Sequence, residues 1–374
     1  MQKLPGLSFW EQSSFFEGVD LAIIGSGIVG LNTALYLKEK YPKVNIVVLE
    51  KGMLPEGAST KNAGFACFGS LSEIIEDLKT HTEEEVVQLV KKRWEGLQLL
   101  RKNLGDAIID YQQHGGYELF YKNDPLWEEC SQNRSKINAL LKPLFTKDVF
   151  TVTGNIFDFK EVHQQYVYNP FEGQLDTGKM VATLLQKVQG LGIKVLTNCF
   201  VESFEELKQS VQLRTNQITF KTTKLFITTN GFAKQFMDVD MQPARAQVLI
   251  TKPIKKLHIK GTFHLDKGYY YFRNVGNRVL FGGGRNLDFT TEETTEFGLT
   301  PVVQYQLESI LKEIILPSQE VTISQRWSGI MGVGNQKKAI VKQLSNNVYC
   351  GVRLGGMGVA IGSFVGKELA DLVD

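Results

Sequence analysis

Three glycines, Gly25, Gly27 and Gly30, separate an apolar run at 19–24 from a helically patterned stretch at 28–41. A second apolar, β-branched run at 44–49 follows and ends at Glu50. Such a chain has few ways to fold. A buried strand, a tight turn, a helix and a second strand form a βαβ unit of about 30 residues. In this unit Gly25 permits the turn, Gly27 lets backbone N–H groups approach a pyrophosphate, and Gly30 lets the helix pack close to the strand. The helix N-terminus, opening at Ile28 and Val29, offers donors and partial positive charge to phosphates. Glu50 lies where a carboxylate accepts from the hydroxyls of an adenosine ribose, with Lys51 beside it. That carboxylate disfavours a 2′-phosphate, so NADP is not expected. NAD and FAD present the same ADP half, and this motif does not separate them. A bare glycine turn with a solvated glutamate is the competing reading.

Two further segments bear on the other half of the cofactor. In GASTKNAGFACFGS (57–70), Ser59 and Thr60 carry hydroxyls suited to phosphate or ribitol oxygens. Asn62, Ala63 and Gly64, followed by Phe65, would let backbone pass close to a flat ring. The alternative is an ordinary loop with a helix cap at Ser59. Near the C-terminus, Gly355, Gly356, Met357, Gly358 and Val359 form a second glycine-rich strand-to-helix turn. It aims a helix N-terminus at whatever lies there, and a reduced flavin is negative near N1. Close packing of the helix on the sheet explains the same glycines without a ligand.

The rest of the 374-residue chain suits more than one domain. A net charge of +2 gives no field for nucleic acid. No apolar run is long enough for a transmembrane helix, and residues 1–20 lack the apolar core of a signal peptide. Cys67, Cys130, Cys199 and Cys350 are scattered, with no zinc-like spacing, so no metal site and a cytoplasmic setting are expected. Thr82-Glu-Glu-Glu85 is a capping box opening a helix to about residue 104. Asp176 caps a helix ending near Gly192, the segment 193–206 reads as one strand, and 268–284 reads as a hairpin turning at 274–277.

Taken together, VDLAIIGSGIVG, VVLEKG, GASTKNAGF, GQLDTGKMVATLLQKVQGLGIKV, TTNGF, PARAQ, RVLFGGGR, RWSGIMG and GGMGVAIG resemble the D-amino-acid oxidase superfamily of FAD enzymes, which includes glycine, sarcosine and gamma-glutamylputrescine oxidases. The resemblance runs over nearly the whole chain. It implies an α/β fold in which a Rossmann-like FAD domain (1–85, 165–245 and 320–374) is interleaved with an α+β substrate domain (86–164 and 246–319). The substrate domain would carry an antiparallel sheet containing 117–121, 248–250, 269–273 and 279–281. It places Val201 at the adenine, Thr229, Asn230 and Gly231 near the pyrophosphate, and Gly329 with 355–360 around the isoalloxazine.

The implied chemistry is oxidation of a C–N bond in an amine or amino acid, with hydride passing to the flavin and onward to oxygen or another acceptor. Amino-acid members hold the substrate carboxylate with an arginine in a W-[AS]-G-L-R-P segment. Here that position is Met331. Arg273 or Arg353 would have to replace it, unless the substrate lacks a carboxylate. Tyr270 would close one wall, Arg245 and Gln247 would line the flavin, and Lys337-Lys338 would be a solvated turn or face the site's mouth. No cysteine stands in IMGVGNQKKAI, where sarcosine oxidase types attach flavin covalently, so non-covalent FAD is expected. A dehydrogenase serving a quinone or carrier, or a non-catalytic flavin protein, are the rival readings.

Overall fold

The computed structural model describes residues 6–373. Its first sheet has six strands in the order Ile340–Gln343, Val348–Val352, Lys224–Ile227, Leu21–Ile24, Ile46–Leu49 and Lys194–Leu196. All neighbours are parallel except the antiparallel edge strand Ile340–Gln343. Every residue of Leu21–Ile24 and Ile46–Leu49 is buried, as a sheet covered on both faces requires. Leu21, Ile23, Ile46 and Val48 meet the helices Ile28–Lys40, Thr177–Gly190 and Gly358–Asp371. The alternate residues Ala22, Ile24, Val47 and Leu49 meet a three-stranded meander on the other face. That meander corrects one expectation. Segment 193–206 is two strands, Lys194–Leu196 and Val201–Glu206, in different sheets. Asn198 breaks it with a left-handed backbone (φ 51°), which asparagine tolerates better than most residues.

The second sheet has eight strands in the order Ile323–Val333, Gln242–Thr251, Arg278–Gly283, Tyr270–Val275, Thr262–Leu265, Gly116–Leu119, Gln165–Asn169 and Thr151–Gly154. It is antiparallel apart from one pair, Thr262–Leu265 beside Gly116–Leu119, which is parallel. The expected hairpin is present, with Val275 opposite Arg278. The expected bounds of the cofactor domain cut across this sheet, because the paired strands Gln242–Thr251 and Ile323–Val333 run on into it. Both anticipated helix caps form. Thr82 Oγ1 accepts from Glu85 N–H at 3.2 Å, and Asp176 Oδ1 accepts from Lys179 N–H at 2.9 Å.

One face of the larger sheet is closed by an aromatic core under the helix Pro301–Ile310. Phe263 is its centre, stacked on Phe272 at 4.6 Å and on Tyr117 at 5.1 Å between ring centroids. Truncating a fully buried phenylalanine removes its transfer free energy and leaves a cavity. Phe263→Ala should therefore cost about 3–5 kcal/mol in denaturant unfolding. A loss below about 1 kcal/mol would show that this core is not packed as described.

Candidate functional site

A cleft of about 450 Å³ runs between the two sheets, lined by both, within the range of small-molecule sites. Gly25, Gly27, Ile28, Val29, Glu50, Lys51 and Val201 line one end, where sequence placed an ADP group. Gly25 has φ 101°, and a Cβ there would sit 3.2 Å from the Thr228 carbonyl oxygen. Glu50 is buried and held in place. Ser26 donates to Oε2 through its hydroxyl (2.6 Å) and its N–H (3.1 Å), and the Gly52 N–H donates to Oε1 (3.0 Å). Gly27 is the N-cap residue but has no side chain to cap with. Ser59, 31 residues beyond Ile28, accepts from the Ile28 N–H at 2.9 Å instead.

Asn62, Ala63 and Phe65 continue the wall, and Asn230, Gly329, Met331, Gly355, Gly356, Met357, Gly358 and Val359 face them. Asn62 stiffens its loop by accepting from the Gly64 N–H (2.8 Å) and the Thr177 hydroxyl (3.0 Å). Trp327 Nε1 donates to Lys61 O at 2.9 Å and ties the same loop to the larger sheet. Gly355 and Gly356 have φ of 57° and 81°, and a Cβ on Gly355 would meet nothing within 4 Å. These features fit FAD. Bare backbone borders the cleft at both glycine turns, and a carboxylate stands at the ribose end. The Thr229 hydroxyl is buried, unpartnered and on the wall between them. Ser59 and Gly27 to Val29 would hold the pyrophosphate end, and 355–359 the ring end.

Several expected residues lie elsewhere. Thr60 turns its hydroxyl to Pro55 O at 2.5 Å and stays off the wall. Gly64 and Gly231 serve packing and stay off the wall, and Gly30 packs the helix close to the strand as expected. A Cβ on each would strike, respectively, Leu175 O, Met331 O and Gly25 O. Tyr270 points into the aromatic core, while Tyr269 and Tyr271 line the cleft, because strand side chains alternate faces. The same alternation removes Arg245 and Gln247, which meet buried Glu292 at 2.8 Å each, and leaves Ala246 and Val248 on the wall. Arg273 is 6% exposed and spends its guanidinium on the carbonyls of Ala63, Asn274 (3.1 Å) and Leu175 (2.9 Å). Burial lowers it to about 10 despite Asp176 and Asp110. Arg353 donates to Lys338 O (3.0 Å) and pairs with Asp240 (2.7 Å). Neither arginine lines the cleft. Lys337 does, and pairs with Asp77 at 2.6 Å.

Sequence reasoning named Phe65 but missed His264 and Tyr271 beside it. Phe65, His264 and Tyr271 cluster edge to face, with Phe65 5.4 Å from His264 and 5.6 Å from Tyr271. His264 Nε2 donates to Glu172 Oε2 at 2.9 Å. Burial alone would lower His264, but Glu172, with Glu73 and Glu118 nearby, raises it to about 9. The ligand atoms of Cys67, Glu172 and His264 lie within 4.8 Å of one another. Yet Glu172 already accepts from His264 and from Thr262 Oγ1 (3.0 Å), which makes the group a buried ion pair. Burial pushes the Cys67 thiol well up, so it is a poor nucleophile. Arg285 also lines the cleft. The period-two pattern of FHL and YYYF held the only signal for His264 and Tyr271.

Comparison with known proteins agrees with this geometry. Residues 20–372 match the DAO family, described as FAD dependent oxidoreductase. Gamma-glutamylputrescine oxidoreductase of Escherichia coli is 22% identical over 95% of this chain and 83% of its own. Sarcosine oxidase subunit beta of an Arthrobacter species is 20% identical over 93% of this chain and 85% of its own. Among solved structures, L-proline dehydrogenase from P. horikoshii superposes with a TM-score of 0.76 at 20% identity, covering 96% of this chain and 93% of that one. Glycine oxidase from Geobacillus kaustophilus also gives 0.76, at 17% identity, covering 95% and 94%. At such identities the superpositions establish the fold. Among the described residues no helix is long and apolar enough to cross a membrane.

The His264–Glu172 pair makes stability depend on pH. A raised histidine stabilises the native state fully below its ordinary value of 6.5, and that contribution disappears as pH climbs through about 9. Unfolding free energy should fall across this window by on the order of 3 kcal/mol. Glu172→Gln should lose most of that slope in urea unfolding at pH 6.5, 7.5 and 9. An unchanged slope would mean that His264 is not held protonated.

Proposed function

The chain belongs to the FAD dependent oxidoreductase family, and we propose that it oxidises a C–N bond in a small amine or amino acid bound in the cleft. The observation that carries this reading is the continuity of the cleft. One wall runs from Glu50 and the Gly25–Gly27 turn to the Gly355–Gly358 turn, and the far end is closed by aromatic side chains from the other sheet. Bound FAD would supply the hydride acceptor for a carbon next to nitrogen. The chain's own contribution is to hold and shield the substrate. Phe65, Tyr269 and Tyr271 exclude water at the ring end. His264 keeps a fixed proton, and with it a positive charge, near that end. Tyr271 is pushed by burial to about 12 and stays neutral. No catalytic base is required when the amine binds neutral.

Non-covalent attachment is supported by the cysteines. Cys67 and Cys199 line the cleft, and burial raises both thiols away from the reactive thiolate form. All four cysteines are unpaired, which supports a cytoplasmic setting.

The purified protein should be yellow and release all of its flavin as FAD on acid precipitation. Anaerobic addition of D-amino acids, N-methyl amino acids or polyamine derivatives should include at least one that bleaches it. Peroxide on re-aeration indicates oxygen as the acceptor, and its absence a quinone or carrier. A colourless protein that takes up no added FAD contradicts the reading. Gly27→Val places a side chain within 2.9 Å of Ser59 Oγ and should cut FAD occupancy at least tenfold while the far-ultraviolet circular dichroism of the apoprotein is retained.

A further inference from the structure

Arg285 is the single arginine on the cleft wall among the described residues. It follows the strand Arg278–Gly283 after two left-handed glycines, Gly283 (φ 124°) and Gly284 (φ 79°). These turn the chain sharply out of the sheet. Its guanidinium carbon lies 5.0 Å from the Phe289 ring centre and 6.0 Å from that of Tyr269. Those rings attract the cation, but they satisfy none of its N–H donors. No hydrogen bond or ion pair from this side chain is found among the described residues, although it is only half-buried and faces the cleft.

Of the other cations nearby, Lys61 also lines the cleft with no ion pair among the described residues, its Nζ 4.9 Å from the Phe297 ring centre, but an ammonium has no planar fork. The rest are matched. Lys267 pairs with Glu76 at 3.0 Å and Lys337 with Asp77 at 2.6 Å. Arg273, Arg353 and Arg245 spend their donors inside the protein. A guanidinium stays charged at any working pH and presents a planar fork that fits a carboxylate bidentately. We infer that Arg285 is the anchor for a substrate carboxylate, flanked by Phe289 and Tyr269 at the ring end of the cleft. This rests on the proposed oxidation of a C–N bond there, and adds that the substrate carries a carboxylate and which residue meets it. Arg285 is a binding and positioning residue. The bond-breaking step does not pass through it.

Calorimetric titration of the FAD-loaded protein with acetate and benzoate, against acetamide and benzamide, tests this without turnover. The wild type should bind the carboxylates more tightly than the amides. Arg285→Gln should weaken carboxylate binding at least tenfold and leave amide binding unchanged, and Arg285→Lys should retain part of the preference. Both variants should keep full FAD content and the wild-type melting temperature, and Arg285→Lys guards against a folding defect in Arg285→Gln. Unchanged carboxylate binding in Arg285→Gln overturns the inference. So does a wild type that treats carboxylate and amide alike. These failures differ from that of the functional reading, which is lost if the protein binds no FAD or no amine reduces it. A yellow, amine-reducible protein indifferent to residue 285 removes the anchor alone.

Discussion

A guanidinium taken out of water costs several kcal/mol unless every donor finds an acceptor, and the cleft of this protein depends on how Arg273 meets that demand. It sits between the sheets and donates to carbonyls of the 62–64 loop, of Leu175 and of its own strand. The loop carrying Asn62, Ala63 and Phe65 is thereby fastened to the larger sheet on one side and to the start of the helix Thr177–Gly190 on the other. Trp327 fastens the same loop a few residues earlier. Because each Arg273 nitrogen donates to a protein carbonyl and the side chain is off the cleft wall, it is not placed to meet a ligand.

Charge is partitioned along the cleft in a way that suits an asymmetric cofactor. At one end the wall offers a carboxylate held by Ser26 and Gly52, with backbone of the first glycine turn beside it. At the other, cations dominate, but Lys267, Lys337 and His264 are each balanced by a carboxylate at 3.0 Å or less. That leaves Arg285 as the guanidinium with donors to spare. With Lys61 set over the Phe297 ring and most other cations paired, an anion would be favoured chiefly at Arg285, as inferred for a substrate carboxylate.

The parallel sheet, its glycine turn and much of the cleft wall were legible in the sequence, because Gly25, Gly27, Gly30 and 355–358 are demanded by backbone geometry that a one-dimensional pattern records. The other end of the cleft was not. The sequence points to Tyr270 for the wall, yet a strand's phase is set by which face meets the aromatic core, and YYYF is apolar on both faces. Arg273 and Arg353 looked available because a sequence shows a charge and hides the carbonyls and carboxylate that consume it. The break at Asn198 was missed for a similar reason, since it depends on one residue's left-handed backbone. Arg285 was in view as the last letter of RVLFGGGR, but only the burial of the other arginines made it the remaining candidate.

The central claim is that one cleft holds the whole cofactor in a single direction. A crystal structure of the flavin-loaded protein measures this directly. The account predicts the adenosine ribose at Glu50, the pyrophosphate at the Gly25–Gly27 turn, and the isoalloxazine between 355–358 and the face bearing Tyr269 and Tyr271. A flavin bound in the reverse direction, or outside this cleft, would contradict it.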